Sequence, residues 1–332
     1  MKKIKFIPAL ALVAMLAACG GSKSVSVKAP KFAKEGKEVE FTDFAEALDK
    51  EDLLGIWNEV DAPEKVPSYI IESKESSEDT KKYFGSDNKS KSEYVEKSVE
   101  NVTVKADMKN VRLQIEGKSN SSESRKDNTG SFNEFKENKT GFVYQYGKVS
   151  GKDAFMYIDT VDEIFLADDS FDGASDAEKL AYMAEGAIMY VGNVVGNNFY
   201  DTVDNYEGLT EEVKENYKFY LNGNVLTITY TYENTYEQKD ADDKVKYTVS
   251  SVANIKMQLD ASKGENFAYK EAYESVETIN FVQDAEYDGD EYFAGEMIEL
   301  GDKEYYEAKV NVKDVTVKEV DVSNFFDLSD YA

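Results

Sequence analysis

The sequence contains one strongly nucleophilic side chain, the thiol of Cys19, and no histidine. Without histidine, the chain lacks Ser-His-Asp and Cys-His nucleophilic catalysis, histidine general acid–base chemistry and the usual structural zinc sites. A single cysteine also excludes an intramolecular disulfide. The chemistry of Cys19 is therefore considered first, and it depends on the residues that precede it.

Cys19 follows a segment that is typical of a secretory signal. Lysines come first, and the apolar stretch from Phe6 to Met15 is shorter than the ~20 residues that a membrane-spanning helix needs. The following Leu16-Ala17-Ala18-Cys19-Gly20 resembles the lipobox of bacterial lipoproteins. This resemblance implies that residues 1–18 are a signal peptide, that Cys19 is acylated, and that its acyl chains hold the protein on a bacterial membrane, facing outside the cytoplasm.

A second group of residues has the side chains of a calcium loop. Oxygen-bearing side chains alternate at Asp168, Ser170 and Asp172, and Gly173 allows a sharp turn. The twelfth residue, Lys179, is not the bidentate glutamate of a helix–loop–helix calcium site. A calcium loop of another kind and an acidic turn before a helix both remain open, and we expect no other cofactor.

Charge excludes one class of partner. The 66 acidic and 39 basic residues give a formal net charge of −27. Such a chain repels phosphates, so we predict no nucleic-acid binding, and acyl chains rather than charge must hold it on anionic lipids. Among so many acids, a catalytic carboxylate pair of a hydrolase cannot be identified from spacing, and we expect no enzyme.

The segment between Gly20 and Lys37 is rich in Ser, Lys, Gly and Ala, which predicts a flexible tether over residues 19–38. Residues 39–332 are predicted to form one β-rich domain, because alternating apolar residues recur throughout and no internal linker stands out. The polar stretch from Lys118 to Gly130 is typical of a solvated loop. Asn222-Gly223, between two alternating runs, predicts a hairpin with a type I′ turn.

A long helix is predicted near the middle of this domain. Ser175 and Glu178 have the spacing of a capping box, in which the serine hydroxyl and the glutamate satisfy each other's backbone N–H groups. Apolar residues continue at helical spacing, so we expect a helix over about residues 176–204. The Glu185 charge and the short apolar run argue against a membrane span.

Strands on both sides of a long apolar helix, behind a lipobox, are similar to the architecture of LolA-type lipoprotein carriers. The resemblance implies a mainly β fold with helices, in which a large curved antiparallel sheet, an open half-barrel, packs around the central helix. It also implies a non-catalytic protein that binds or carries a lipid or another hydrophobic ligand in the gap. The candidate groove residues are Met183, Ile188, Val191, Ile255 and Met257.

The alternative function is a cell-envelope protein-interaction module without a ligand cavity, whose protein partner the sequence does not identify. The 23 tyrosines favour this alternative, since tyrosine is enriched at protein interfaces. An apolar cavity would support ligand carriage, whereas a filled core with an exposed tyrosine surface would support the interaction module.

Overall fold

The computed structural model describes residues 25–51, 62–149 and 151–322. Its strands are β1 (Lys37–Val39), β2 (Tyr69–Phe84), β3 (Ser90–Asp107), β4 (Arg112–Asp127), β5 (Gly130–Val149), β6 (Lys152–Asp159), β7 (Ile164–Asp168), β8 (Tyr217–Asn222), β9 (Val225–Lys239), β10 (Val245–Lys263), β11 (Asn266–Phe281), β12 (Ala285–Tyr287), β13 (Asp290–Tyr292) and β14 (Met297–Val312). The helices are α1 (Phe41–Glu51), α2 (Asp176–Tyr206) and α3 (Glu211–Lys214).

Within these residues, twelve strands form one antiparallel sheet that is not closed into a barrel. The strand order is β1-β8-β9-β10-β11-β14-β2-β3-β4-β5-β6-β7, and β12 and β13 form a separate hairpin. The predicted fold class, mainly β with a large antiparallel sheet and few helices, is confirmed. The last strand, β14, lies between β11 and β2 and thereby joins the two halves of the chain.

Helix α2 begins at the predicted capping box. The Glu178 backbone N–H donates to Ser175 Oγ at 3.3 Å, and the Ser175 backbone N–H donates to Glu178 Oε2 at 2.8 Å. At about 1.5 Å per residue, the 31 residues of α2 span about 46 Å, which is enough to cross most of the sheet. Its N-terminal part contacts β6 through Tyr182 and Phe155, and its C-terminal part contacts β8 through Tyr206 and Phe219.

We call the side of the sheet that contacts α2 the helix face and the opposite side the outer face. On the helix face, the hydroxyl of fully buried Tyr69 donates to the Ala187 carbonyl of α2 at 2.6 Å. The core between α2 and the sheet also holds Phe44 of α1, whose ring lies 5.0 Å from that of Phe219. These residues lie toward one end of each strand, so α2 covers only that end, the helix end.

Away from the helix end, much of the sheet is a single layer. At the far end, the β12–β13 hairpin covers part of the helix face, where Tyr292 stacks on Phe281 at 4.5 Å. Along β9, every residue from Tyr232 to Lys239 is exposed. Strands 15 to 20 residues long therefore continue well beyond the apolar core that holds one end of them.

The polar stretch from Lys118 to Gly130 differs from its prediction, because most of it is strand β4 rather than a loop. Each residue of β4 from Arg112 to Asp127 pairs with both β3 and β5. In a single layer neither face requires apolar side chains, so backbone pairing holds a strand whose sequence lacks the usual alternation.

Two further predictions need adjustment. The β8–β9 turn is one residue later than predicted, since Asn222 pairs with Val225 and only Gly223 of the two linking residues has a positive φ, as at the first position of a type II′ turn. Part of the tether predicted over residues 19–38 contacts the sheet: residues 25–36 lie on the outer face, where Val25 bonds Ser122 and Ala33 bonds Gln258. Their backbone groups find polar side-chain partners there, which an apolar pattern does not reveal.

Candidate functional site

An open cleft of about 410 Å³ lies on the helix face, beside the C-terminal half of α2. Its volume falls in the range of small-molecule sites, although polar groups make up much of its surface. Strands β8, β9, β10, β11 and β14 supply the sheet side of the cleft. The lining residues are Asn198, Asp201, Thr202, Asn205, Leu209, Tyr217, Tyr230, Ile255, Met257, Glu271, Tyr273 and Glu304.

Aromatic rings form one wall of the cleft. Tyr217 and Tyr230, which pair across β8 and β9, stack with ring centroids 4.4 Å apart. The pKa of Tyr230 is raised to about 12, mainly by burial and to a smaller extent by the nearby Tyr217 hydroxyl. Burial also raises the pKa of Tyr217, so both hydroxyls remain protonated at neutral pH and can donate hydrogen bonds to a ligand.

Glu271 places a carboxylate at the border between α2 and the sheet. It accepts a hydrogen bond from the Tyr269 hydroxyl at 2.8 Å and one from Asn198 Nδ2 at 3.1 Å. These contacts join β11 to α2 and fix the orientation of the carboxylate. Glu271 thus provides the cleft with an oriented negative charge.

A row of carboxylates crosses the helix face next to the cleft. Five neighbouring strands place an acidic residue at the same register position, and these residues, here called the acidic row, are Asp302, Asp79, Glu96, Glu123 and Glu134. Side chains directly opposite each other on neighbouring strands lie about 5 Å apart, and like charges there destabilise a sheet. The row therefore concentrates negative potential on this face at some cost to stability.

Electrostatic strain in the row is greatest at Asp302. Burial, together with the charges of Glu304 and Asp79, raises the pKa of Asp302 to about 6. Its Oδ1 is buried and has no hydrogen-bond partner in the described structure. At neutral pH the fold keeps this carboxyl ionised against an unfavourable environment.

We expect Asp302→Asn to raise the free energy of unfolding at pH 7. The folded-state pKa of about 6 lies above the usual 3.8, so the native state loses stability as pH rises through this window. After discounting for solvent screening, the gain in the variant is about 1 kcal/mol, and the decline between pH 4 and 6 becomes smaller. Urea unfolding across this pH range measures both.

The matched control is Glu299→Gln on the same strand, because Glu299 lies on the outer face and forms an ion pair with Lys82 at 2.9 Å. Glu299→Gln should not raise the free energy of unfolding at pH 7. An equal gain in both variants would show that lower net charge, rather than the position in the acidic row, is responsible.

The predicted groove residues do not line one groove. Met183 and Val191 lie in the closed core beneath α2, and Ile188 packs against that core half-buried. Ile255 and Met257 belong to the same buried core and also line the floor of the open cleft. The gap that α2 and the sheet leave beside Met183 has a volume of only about 10 Å³.

Carboxylate oxygens of the predicted calcium loop accept hydrogen bonds from backbone N–H groups. Asp168 Oδ1 accepts the Ser170 backbone N–H at 2.9 Å at the start of a short 3₁₀ helix, and Asp172 Oδ1 accepts the Asp153 backbone N–H at 3.1 Å. Asp168 and Asp172 thus bind different backbone amides. Across residues 25–51, 62–149 and 151–322, no group of three or more acidic, histidine or cysteine side chains is placed to hold a metal ion.

Cys19, the predicted lipid attachment site, lies outside the described residues. In the part of the chain that the structure covers, no helix combines the length and the apolarity needed to cross a bilayer. The acidic row is the feature that sequence reasoning missed. Its five residues come from distant segments, and only the strand register brings them together.

The described residues thus form a large antiparallel sheet, and one long helix crosses one end of it beside the cleft. No protein-family model and no curated protein matches the chain. Among solved structures, the chain is similar at a TM-score of 0.22 to the outer membrane protease OmpT from Escherichia coli, with 6% identity over 74% of this chain and 97% of that one. For OccK7 (OpdD) from Pseudomonas aeruginosa, the TM-score is 0.17, with 6% identity over 74% and 98%. Similarity at this level assigns neither a family nor a function.

Proposed function

We propose that this chain is a non-catalytic protein of the bacterial cell envelope, held on the membrane by acyl chains on Cys19, that binds a partner protein through its helix face. The observation that carries the proposal is the contrast between the two parts of this face. Under α2 the core is filled, whereas beyond α2 the acidic row and the tyrosine-lined cleft are open to solvent.

The small volume beneath α2 argues against a lipid held there. A gap of about 10 Å³ has room for about one water molecule, and an acyl chain needs a far larger space. The open cleft favours a second candidate function, the binding of a small hydrophobic ligand over Ile255 and Met257. That ligand would also have to be compatible with Glu271 and Glu304 at the cleft border.

The chemistry of the open face indicates the kind of partner. Tyrosine side chains supply contact area with a polar tip, and tyrosine is enriched at protein interfaces. Carboxylates in a row attract a segment that carries lysine or arginine and repel an acidic one. The partner that fits is therefore a basic surface on another protein of the envelope.

Crosslinking in the bacterial host tests this function. A photoreactive amino acid at Ser121 lies on the helix face of β4, and the same group at the adjacent Asn120 lies on the outer face. We expect discrete protein adducts from the Ser121 position that Asp79→Asn and Glu96→Gln weaken. Protein adducts from Asn120 alone would contradict the proposal.

Native mass spectrometry separates the two candidates. The Cys19→Ser protein, purified from the same host, should show its apo mass if the helix face binds a protein. A co-purifying mass of a few hundred daltons that Ile255→Glu removes would instead support the small hydrophobic ligand.

A further inference from the structure

The described chain begins with an extended segment, residues 25–36, that crosses the outer face and is here called the strap. Its first residue, Val25, donates its backbone N–H to Ser122 Oγ of β4 at 3.3 Å. Farther along, Ala33 exchanges two hydrogen bonds with buried Gln258 of β10, at 2.7 and 3.2 Å. The strap therefore runs from β4 to β10 across the strands between them, and then enters β1.

The strap is also bound through charged side chains. Lys270 Nζ donates to the Lys31 carbonyl, and Lys256 Nζ pairs with Glu35 while lying over the Phe32 ring at 4.8 Å from its centroid. These contacts come from neighbouring strands β10 and β11. These contacts hold the strap on the outer face at Val25 and between Lys31 and Glu35, so the reach of the segment before it is measured from Val25.

The position of Val25 limits how far the sheet can be from an anchor at Cys19. At no more than about 3.6 Å per residue, the six residue steps from Cys19 to Val25 span at most about 22 Å. Val25 lies on the outer face beside Ser122, ten residues from the helix end of β4. Ten residues of strand measure about 34 Å, so the molecule cannot stand on its helix end at the membrane.

An orientation in which the far end of the sheet contacts the membrane is disfavoured by the negative charge of that end. Most aspartates of the far-end turns are paired, Asp87 with Lys91 and Asp127 with Arg125. Residues 284–291, which contain most of the β12–β13 hairpin, instead carry five acidic residues and no basic one. Anionic lipid headgroups repel such an end.

The two faces of the sheet also differ in charge, and the helix face is the more negative one. On the outer face, carboxylates pair with lysines: Glu78 lies 2.7 Å from Lys97 and 2.8 Å from Lys303, and Glu137 lies 3.1 Å from Lys118. On the helix face, the acidic row sets carboxylate beside carboxylate. Of the two faces in the described structure, the outer face is therefore the one that can approach anionic headgroups without strong repulsion.

From this geometry we propose that the outer face lies along the lipid headgroup surface and that the helix face points away from the membrane. The inference rests on the proposed anchoring through Cys19 and gives that anchor a direction. The outer face would thus contact the bilayer surface. Two observations favour this contact: the short reach of the chain before Val25 and the paired charges of the outer face. The cleft and the acidic row then face outward, where a partner protein can reach them.

Spin labels on the lipidated protein test this orientation. Cys19 is the only cysteine and is blocked by its acyl chain, so Asn120→Cys and Ser121→Cys each offer one thiol, on opposite faces of β4. The protein is reconstituted in phosphatidylglycerol–phosphatidylethanolamine vesicles that contain a nickel-chelating lipid. We expect headgroup nickel to relax the Asn120 label about twofold or more faster than the Ser121 label, since adjacent strand residues point to opposite faces.

A second pair on β3, Val99→Cys on the outer face and Ser98→Cys on the helix face, guards against a local effect of either substitution. Equal relaxation on both faces, or faster relaxation of the helix-face labels, overturns the orientation while leaving the anchor in place. Protein that fails to float with the vesicles and has no acyl mass on Cys19 overturns the anchor, and the orientation with it.

Discussion

Replacing Phe199 by alanine is expected to lower the free energy of unfolding by about 3–5 kcal/mol, the usual cost of removing a large aromatic ring from a closed core. Phe199 is fully buried on α2, and its ring lies 6.2 Å from that of Phe44 and 6.0 Å from that of Tyr269. It thus connects α1, α2 and β11. Urea unfolding followed by circular dichroism measures the loss.

Phe132→Ala is the matched control, because this ring is 52% exposed on β5 in the single layer. It should change the free energy of unfolding by no more than about 0.5 kcal/mol. Similar losses in the two variants would mean that the core beneath α2 does not hold the sheet together.

The second large effect is expected for Gln258→Ala. Gln258 is 2% exposed and bonds both backbone groups of Ala33 as well as Thr227 Oγ1, so its loss leaves buried polar groups without partners. We expect a loss of about 2 kcal/mol and release of the strap. Trypsin, followed by mass spectrometry, should then cleave faster after Lys28, Lys31 and Lys34.

Asn254→Ala provides the comparison for this variant. Asn254 lies on the same strand and face but is exposed, and it bonds Thr231 rather than the strap. Cleavage in the strap should stay at the wild-type rate. If trypsin cuts the strap equally fast in wild type and Gln258→Ala, the strap is not held by Gln258.

Sequence patterns predicted the elements that an apolar core requires. Strand β10 contains one of the alternating apolar runs on which the β-rich prediction rests, and the capping box at Ser175 begins α2 as expected. Both signals are local, because burial on one face imposes a period of two on a strand and of 3.6 on a helix. The candidate site was predicted only at Ile255 and Met257, which share that alternation.

Features outside the core could not be predicted in this way. Polar residues occupy both faces of β4 from Lys118 onward, so nothing in their order marks a strand or its register. The acidic row depends on the register of four strand pairs, one of which joins Asp79 to Asp302 across more than two hundred residues. The strap is held by buried Gln258 and by surface lysines, which leave no periodic signal.

The place of β14 in the sheet has a consequence for how the chain folds. Strands β2 to β7 and β8 to β11 each pair in sequence as successive hairpins, whereas β14 joins the two groups by pairing Tyr69 with Val312 at one end. Pairings this distant close slowly, and until β14 arrives the 16-residue edges of β2 and β11 remain unpaired. Open edges of that length are prone to aggregate. We therefore expect aggregation to compete with folding until β14, which ends at Val312, has been synthesised and can pair.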